Sequence, residues 1–319
     1  MDNPLVSICC ISYNHEAYIR DCLEGFLMQQ TDFPFEVLIH DDASSDHTAD
    51  IIREYEAKYP DIIKPICEQE NQYAKGVGFV ELFGFARAKG KYIAICEGDD
   101  FWIDPHKLQR QFDFMESQPD HSLCGCRHYV FNEINKTFAK GADYNFNSDD
   151  LNNRHDIDCL IARTPFHTSS FFIRTDNLHS VFYQLKQDSI GCSFGDTLLC
   201  FHLATTGKLK LIDRYMTAYR IHYGSAMSFG SGREIKHMKF FADQVRILTR
   251  NHREDLIPVV IKRNIPQLFA PRLGAWARLK KWLFVLCLPF LKSRRDYKKI
   301  MLLSPQERVR CHFKNNGNI

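Results

Sequence analysis

The feature that most constrains the fold is the alternation of short apolar runs with helix-patterned segments in the first third of the chain. Leu5–Ile11, Phe35–Ile39 and Tyr92–Cys96 have the length and composition of buried strands. The ranges 17–30 and 48–58, which lie between them, have the apolar spacing of helices. Connections of this length join parallel strands, so the sequence predicts an α/β fold with a doubly wound, mostly parallel but mixed sheet and helices on both faces.

Polar or acidic residues follow the end of each predicted strand: Tyr13 and Asn14, then Asp41 and Asp42, then Glu97, Asp99 and Asp100. In a doubly wound sheet these ends line one crevice, where ligands bind. The last cluster has three carboxylates in four residues, which repel one another unless a cation lies among them. Oxygen ligands suit a hard divalent ion that also binds phosphate. We interpret the cluster as a metal–diphosphate site, and the alternative is an acidic turn before the helix that begins near Pro105.

Several other classes of protein do not fit the sequence. No GxGxxG motif follows the first strand and no GxxxxGK[ST] motif occurs, so neither a Rossmann dinucleotide site nor a P-loop is expected. The 12 cysteines are scattered without a CxxC pair, which favours reduced thiols over a disulfide scaffold or structural zinc. Met1–Pro4 lacks the pattern of a secretory signal, and no apolar run reaches the roughly 18–20 residues that span a bilayer.

Basic residues are concentrated towards the end of the sequence. Arg272 to Lys299 contains nine basic residues and one acid, whereas the remainder carries 32 basic and 38 acidic residues, a net charge of −6. The acidic remainder argues against nucleic-acid binding. Within the basic segment, the apolar run Leu283–Leu291 and the nearby Trp276 and Trp282 are typical of an interfacial helix on an anionic membrane surface. The alternative is a helix that packs on the rest of the chain or on a second subunit.

Three segments, Val6–Asn14, Ile39–Asp46 and Gly90–Asp100, together resemble the family 2 glycosyltransferases. Cys96–Leu108 is similar more narrowly to bacterial enzymes that assemble capsule, lipopolysaccharide and other surface glycans. The resemblance covers roughly residues 4–225. It implies a glycosyltransferase-A fold, a nucleotide-diphospho-sugar donor with UDP as the default nucleotide, Mn2+ or Mg2+ as cofactor, and a glycan or lipid-linked acceptor.

The resemblance also implies roles for the residues at the donor site. Tyr13, with Asn14 beside it, would pack on the nucleobase, and Asp42 with Asp41 would bind the base or ribose. Glu97 stands where the family usually has the ribose-facing Asp, so this contact is less secure. Asp99 would be the main metal ligand, with Asp100 as the alternative. Lys75 lies in a loop whose family counterpart often supplies a cation for the diphosphate, although a solvated loop lysine is the alternative.

Further roles follow from segments later in the chain. Asp196 opens an apolar helix at the position where the family carries its catalytic base, and the alternative is that it only caps that helix. Tyr219–Ser225 resembles a segment that closes the catalytic domain. Its His222 would complete the metal shell or lie in the core, and Arg220 would meet the diphosphate. His167 resembles a residue near the transfer site, although a structural histidine is the alternative.

The sequence therefore predicts an inverting glycosyltransferase of surface-polysaccharide biosynthesis that lies in the cytoplasm, at the inner face of the cell membrane. Residues 1–230 would form the catalytic domain, with a nucleotide-binding half to about residue 100 and an acceptor half after it. Residues 231–319 would form a helical C-terminal region whose basic segment, about 272–299, contacts the membrane. A sugar nucleotidyltransferase and a non-catalytic nucleotide-sugar-binding module are the two alternative functions.

Overall fold

A computed structural model of the chain describes residues 3–78, 83–141, 167–189, 195–223, 244–245 and 248–250. The chain divides into two units, Met1–Phe229 and Gly230–Ile319. In the second unit the five described residues are helical, and the predicted basic segment lies outside the described residues. A search of the described ranges finds no helix with the length and apolar character needed to cross a membrane.

In the described part of the chain, nine strands form one mixed sheet. They are β1 (Val6–Ser12), β2 (Phe35–Asp41), β3 (Ile63–Cys67), β4 (Tyr92–Glu97), β5 (Phe101–Trp102), β6 (His121–Asn132), β7 (Thr137–Lys140), β8 (Phe172–Arg174) and β9 (Lys208–Ile221). Their order is β3-β2-β1-β4-β8-β6-β9-β5, with β7 paired to β6. The strands β1 to β4 pair in parallel, as do β6 and β9, while β8 and β5 run antiparallel to their neighbours. The predicted α/β class with a mixed sheet is confirmed.

The α-helices of the described ranges are α1 (Ile19–Leu27), α2 (Thr48–Lys58), α3 (Lys107–Ser117), α4 (Thr175–Ser189) and α5 (Gly195–Leu203), with 3-10 helices at Phe85–Arg87 and Thr168–Ser170. The apolar spacing also predicts a helix over 77–88. Among the described residues of that range, only Phe85–Arg87 are helical. Gly84 has a left-handed backbone, with a φ of 64°, which an α-helix does not continue through.

The helix α1 packs closely on the sheet next to the ends of β1 and β4. Its residues Cys22, Leu23 and Phe26 are buried in the same core cluster as Trp102 of β5. A Cβ added at Gly25 would lie 2.9 Å from the main-chain nitrogen of Trp102, so glycine permits backbone contact between α1 and β5. This contact fixes α1 beside the β4–β5 turn, which carries the acidic cluster.

Lys107, the first residue of α3, is buried, although the apolar spacing of the helix does not predict this. The side chain of Lys107 is fully buried, and its Nζ donates to Oε1 of Gln111 at 2.7 Å. The ammonium also lies 3.9 Å from the centre of the Trp102 ring, which provides a cation–π contact. Burial lowers the pKa of Lys107 to about 8, because desolvation penalises its charged form.

This burial predicts a pH-dependent contribution of Lys107 to stability. Between about pH 8 and about pH 10.5 the unfolded chain holds a proton that the native state has released, so raising the pH favours the native state. We expect the free energy of unfolding of the native protein to rise relative to Lys107→Met by on the order of 3 kcal/mol across this window. Chemical denaturation at several pH values measures the difference. Lys58→Met, at an exposed position in α2, is the control, and parallel curves for native protein and Lys107→Met would contradict the prediction.

Candidate active site

The carboxyl ends of β1, β2 and β4 lie side by side. The strand β1 runs between the other two, and the parallel register pairs Ser12 with Asp41 and Ile11 with Glu97. The loops that follow these strands therefore start from one edge of the sheet. The structure thus brings together the three polar clusters that the sequence predicted to share one crevice.

Asp99 and His222 meet at this edge. Oδ2 of Asp99 lies 3.2 Å from Nε2 of His222, which directly follows β9, and 3.9 Å from Nε2 of His15, which follows β1. The ring of His222 packs 4.3 Å from that of Tyr18. The hydrogen bond to Asp99 raises the pKa of His222 above its ordinary value. Burial alone would raise the pKa of Asp99, but the hydrogen bond from His222 and the charge of His15 outweigh burial and hold it below its usual range.

The Asp99–His222 pair supplies two ligands of kinds that a divalent ion accepts. Within the described ranges, no group of three His, Cys, Asp or Glu side chains is arranged to hold a metal ion. A Mg2+ or Mn2+ ion bound by one or two side chains takes its remaining ligands from water and substrate phosphates. A carboxylate oxygen and an imidazole nitrogen that already face each other therefore fit a metal that is bound jointly with a diphosphate.

Asp100 and Arg220 contact each other and neighbouring protein groups. Both are buried, and the main-chain N–H of Arg220 donates to Oδ1 of Asp100 at 2.9 Å. Burial and the neighbouring charge of Asp99 raise the pKa of Asp100 well above its ordinary value. The guanidinium of Arg220 binds Asp21, Glu133 and the main-chain carbonyl of Asp99. Asp100 therefore faces the β9 backbone, and Arg220 directs its donors to protein groups. The roles of Asp100 as an alternative metal ligand and of Arg220 as a diphosphate contact stay predictions.

Glu97 is the last residue of β4 and lies within electrostatic range of Asp99 and of Asp196, which is in the first turn of α5. Burial, and then the charges of Asp99 and Asp196, raise the pKa of Glu97 to about 8. An interaction with the Thr168 side chain offsets part of this increase. Burial also raises the pKa of Asp196, although hydrogen bonds from the main chain and hydroxyl of Thr197 partly offset the effect. Asp99 and Asp196 are therefore both close enough to Glu97 to affect its pKa.

Hydrogen bonds connect the loop after β1 to the loop after β2. Asn14 has a left-handed backbone, with a φ of 56°, and its Oδ1 accepts the main-chain N–H of Ser45 at 2.8 Å. Its own N–H donates to Oγ of Ser44, whose hydroxyl donates to the carboxylate of Asp41. Asn14 and Asp41 therefore order the two loops. Tyr13, which precedes Asn14, has 47% of its surface exposed, so its ring is accessible to a ligand.

The carboxylate of Asp42 holds a third loop in place. It is buried, and its two oxygens accept the main-chain N–H groups of Gln72 at 2.6 Å and Tyr73 at 3.1 Å. The side chain of Tyr73 is 72% exposed. Lys75, on the same loop, forms an ion pair with Glu70. Asp42 thus positions a loop that carries an aromatic ring and a cation.

His167 lies at the start of the Thr168–Ser170 helix and faces the acidic cluster. Its Nδ1 lies 3.0 Å from Oγ of Ser169 and 3.4 Å from Oδ2 of Asp100. Its ring packs 4.4 Å from the ring of Tyr219. Burial, and then the charge of His128, lower the pKa of His167 to about 3, so the imidazole is neutral at physiological pH. The structure therefore places His167 in the site as a neutral group.

Three residues of the site were not singled out from the sequence. His15 directly follows Tyr13 and Asn14, so its position offered a usable signal. Tyr18 lies just before α1, and its helical spacing suggests only a core residue, whereas its ring contacts His222. Tyr73 lies in a polar loop with no periodicity, so nothing in its neighbourhood distinguished it from a surface tyrosine.

Comparisons with known proteins agree on one family. The family model for glycosyl transferase family 2 matches residues 7–179. The Mycobacterium tuberculosis protein named Uncharacterized protein Rv1520 is 36% identical over 220 residues, which cover 68% of this chain and 59% of that protein. The putative teichuronic acid biosynthesis glycosyltransferase TuaG of Bacillus subtilis is 37% identical over 112 residues, 35% of this chain and 42% of TuaG. The chain thus spans about three fifths of the mycobacterial relative.

A solved structure agrees with the fold. TarS 1-349 from S. aureus, crystallised in complex with UDP-GlcNAc, superposes with a TM-score of 0.65 at 17% sequence identity. The superposition covers 89% of this chain and 81% of that one. At this level of identity the likeness concerns the fold alone, and it confirms the predicted glycosyltransferase-A architecture.

Proposed function

The chain belongs to glycosyl transferase family 2, and on that premise we propose that it moves a sugar from a nucleotide-diphospho-sugar to an acceptor hydroxyl with inversion at the anomeric carbon. One observation carries the proposal. The Asp99–His222 pair, which suits a diphosphate with its metal, lies at the same strand ends as Glu97, whose pKa responds to both Asp99 and Asp196. This electrostatic proximity supports the proposal that a leaving-group site and a base border one region.

The donor is proposed to lie along the ends of β1, β2 and β4. The exposed ring of Tyr13 would pack on the nucleobase, and Asp99 with His222 would hold Mn2+ or Mg2+ together with the diphosphate. When bound there, the ion would neutralise charge that develops on the departing diphosphate. Lys75 would add a second cation if it left Glu70. UDP-sugars are the first donors to test, because the fold neighbour TarS was crystallised with UDP-GlcNAc.

Asp196 is proposed to act as the general base. Its carboxylate would accept the proton of the acceptor hydroxyl while that oxygen forms a bond to the anomeric carbon and the bond to the diphosphate oxygen breaks. Burial raises the pKa of Asp196, which makes its carboxylate a stronger base. The position of Asp196 in the first turn of α5 still favours its ionised form, because the helix dipole stabilises negative charge there.

The acceptor is proposed to be a glycan or a lipid-linked glycan of the bacterial surface. The name of TuaG, a relative by sequence, places that protein in teichuronic acid biosynthesis, which is a cell-surface pathway. A lipid-linked acceptor would require the enzyme to work at the inner face of the membrane. The basic segment 272–299, with its tryptophans and short apolar run, has the composition for such a contact.

This proposal predicts that the basic segment binds anionic lipid. We expect the full chain to float with vesicles that contain phosphatidylglycerol and not with vesicles of phosphatidylcholine alone. Replacement of Lys280, Lys281, Arg294 and Arg295 by Gln is expected to release it, since each basic residue near the surface contributes about 1 kcal/mol. A matched variant with four exposed lysines of the first unit changed, Lys58, Lys89, Lys136 and Lys140, is the control. Equal flotation with both lipid types would contradict a charge-driven contact.

The experiment that tests the function is a donor screen. A panel of nucleotide-sugars is incubated with the protein, with and without Mn2+, and released nucleotide is measured. We expect release from one class of donor, faster with a glycan acceptor and abolished by EDTA. Release of pyrophosphate from a sugar phosphate and nucleoside triphosphate would instead identify a nucleotidyltransferase, and binding without turnover would identify a non-catalytic module.

A further inference from the structure

We propose that Arg220 is a positioning residue that fixes the Asp99–Asp100 turn against β9, and that Asp21 and Glu133 hold its guanidinium for this purpose. The inference goes beyond the proposed function, because no substrate contact is assigned to Arg220. The inference rests on the proposed function only for the measurement of turnover, and the measurement of hydrogen–deuterium exchange does not depend on it.

The contacts of Arg220 join four parts of the first unit. Its main-chain N–H donates to Oδ1 of Asp100 at 2.9 Å, and its Nε donates to the main-chain carbonyl of Asp99 at 2.8 Å. Its Nη2 donates to Oδ2 of Asp21 in α1 at 2.7 Å, and its Nη1 binds Glu133, which follows β6. One residue of β9 therefore connects the β4–β5 turn, α1 and the β6–β7 hairpin.

The surroundings of the guanidinium make this arrangement rigid. The side chain is 2% exposed. Its guanidinium carbon lies 5.1 Å from the ring centre of Tyr18, 4.8 Å from that of Phe101 and 5.2 Å from that of Phe131. The planar fork of arginine can meet several acceptors at once, which a lysine ammonium on a flexible stem does not reproduce. A buried guanidinium also needs its acceptors, because an unpaired buried charge is strongly unfavourable. The two carboxylates therefore determine where Arg220 can lie.

This rigidity bears directly on the Asp99–His222 pair. His222 is two residues after Arg220 on the same chain segment. The hydrogen bonds from Arg220 to Asp99 and Asp100 therefore set the distance between the two proposed metal ligands, Asp99 and His222. A displacement of about 1 Å in reacting geometry can cost on the order of a hundredfold in rate. Loosening Arg220 should therefore impair the site although none of its contacts is with substrate.

The test uses carboxylates that lie outside the site. Asp21→Asn and Glu133→Gln, alone and combined, keep every proposed substrate contact and weaken the contacts that hold Arg220. Glu133→Gln also removes the ion pair with Lys136, which Asp21→Asn leaves intact. The control is Asp213→Asn, which removes a similar pair with Arg127 on the same two strands, β6 and β9, away from the Asp99–Asp100 turn. Asp213 and Asp21 are equally exposed, at 59%.

Two measurements are made on the full-length protein. Hydrogen–deuterium exchange of the peptide over residues 97–103 reports on the turn, and nucleotide release from the donor reports on the reaction. For the double variant we expect faster exchange in this peptide and a fall in turnover of about tenfold or more. Its thermal midpoint should lie below that of Asp213→Asn, because the buried guanidinium loses two charged acceptors, so all variants are measured well below their midpoints. KM for the acceptor should not change, because no acceptor contact is removed.

The outcomes separate this inference from the proposed function. If exchange and turnover of the double variant match those of Asp213→Asn, Arg220 is not a positioning residue. Faster exchange with unchanged turnover of an active enzyme would overturn it as well. If the unaltered protein turns over no donor, the proposed function fails, and the exchange measurement still decides whether the two carboxylates hold the turn.

Discussion

Asp196→Asn is expected to lower the turnover number of sugar transfer by about a hundred- to ten-thousand-fold, the usual contribution of a general base. Asparagine keeps the shape of the side chain and can still cap α5, but it cannot accept the proton of the acceptor hydroxyl. Binding of UDP should remain unchanged, because none of the proposed donor contacts comes from α5. Steady-state kinetics and calorimetric titration with UDP and Mn2+ measure the two effects separately.

Asp176→Asn is the matched control for this variant. Asp176 also lies in the first turn of a helix, α4, and it is exposed. Loss of a helix N-terminal carboxylate costs roughly 0.3–1 kcal/mol through the helix dipole, so both variants should show small shifts in stability. Only Asp196→Asn should lose transfer. If Asp196→Asn retains full turnover, Asp196 serves only to cap α5, and the base is another residue.

Asp99→Asn is expected to reduce kcat/KM for the donor by about a hundredfold or more, since a bound metal supplies several kcal/mol of charge stabilisation at the departing diphosphate. The amide is a weaker metal ligand and carries no charge to hold the imidazole of His222. The affinity for UDP in the presence of Mn2+ should fall, whereas any affinity for UDP in EDTA should not change. Titration of UDP with and without metal measures this difference.

Asp120→Asn provides a matched control for the loss of a carboxylate–imidazole pair. Oδ1 of Asp120 lies 2.8 Å from Nδ1 of His121 at the start of β6, whereas the site lies beyond the end of that strand. This variant should bind UDP and Mn2+ like the native protein. A metal-dependent affinity that survives in Asp99→Asn would show that the diphosphate is held elsewhere.

The convergence of the strand ends was predictable because it depends on local patterns. Short apolar runs separated by helices dictate parallel pairing, and parallel pairing places the ends of β1, β2 and β4 at one edge. Asp99 and His222 could be placed near this edge from the segments around them. Their separation of 3.2 Å could not, since it depends on how β9 pairs with β5 and β6.

The interactions of Arg220 and Lys107 were not predictable for a different reason. The partners of Arg220, Asp21 and Glu133, are 199 and 87 positions away in the sequence, and no local pattern connects residues so distant. When the protein partners of an arginine near a predicted diphosphate site are unknown, the sequence suggests that the arginine binds phosphate. A lysine near the start of a helix is normally exposed, and Lys107 is buried because Gln111 and Trp102 accept its ammonium.

A crystal structure of the protein with UDP and Mn2+ tests the central claim most directly, because the anomalous signal locates the metal independently of the rest of the density. The account predicts one Mn2+ ion bound by Asp99 and His222 and by oxygens of both phosphates, with the uracil ring on Tyr13 and the Asp196 carboxylate facing the far side of the sugar position. An ion and a diphosphate bound away from Asp99, or an Asp196 side chain in a separate cavity, would contradict it.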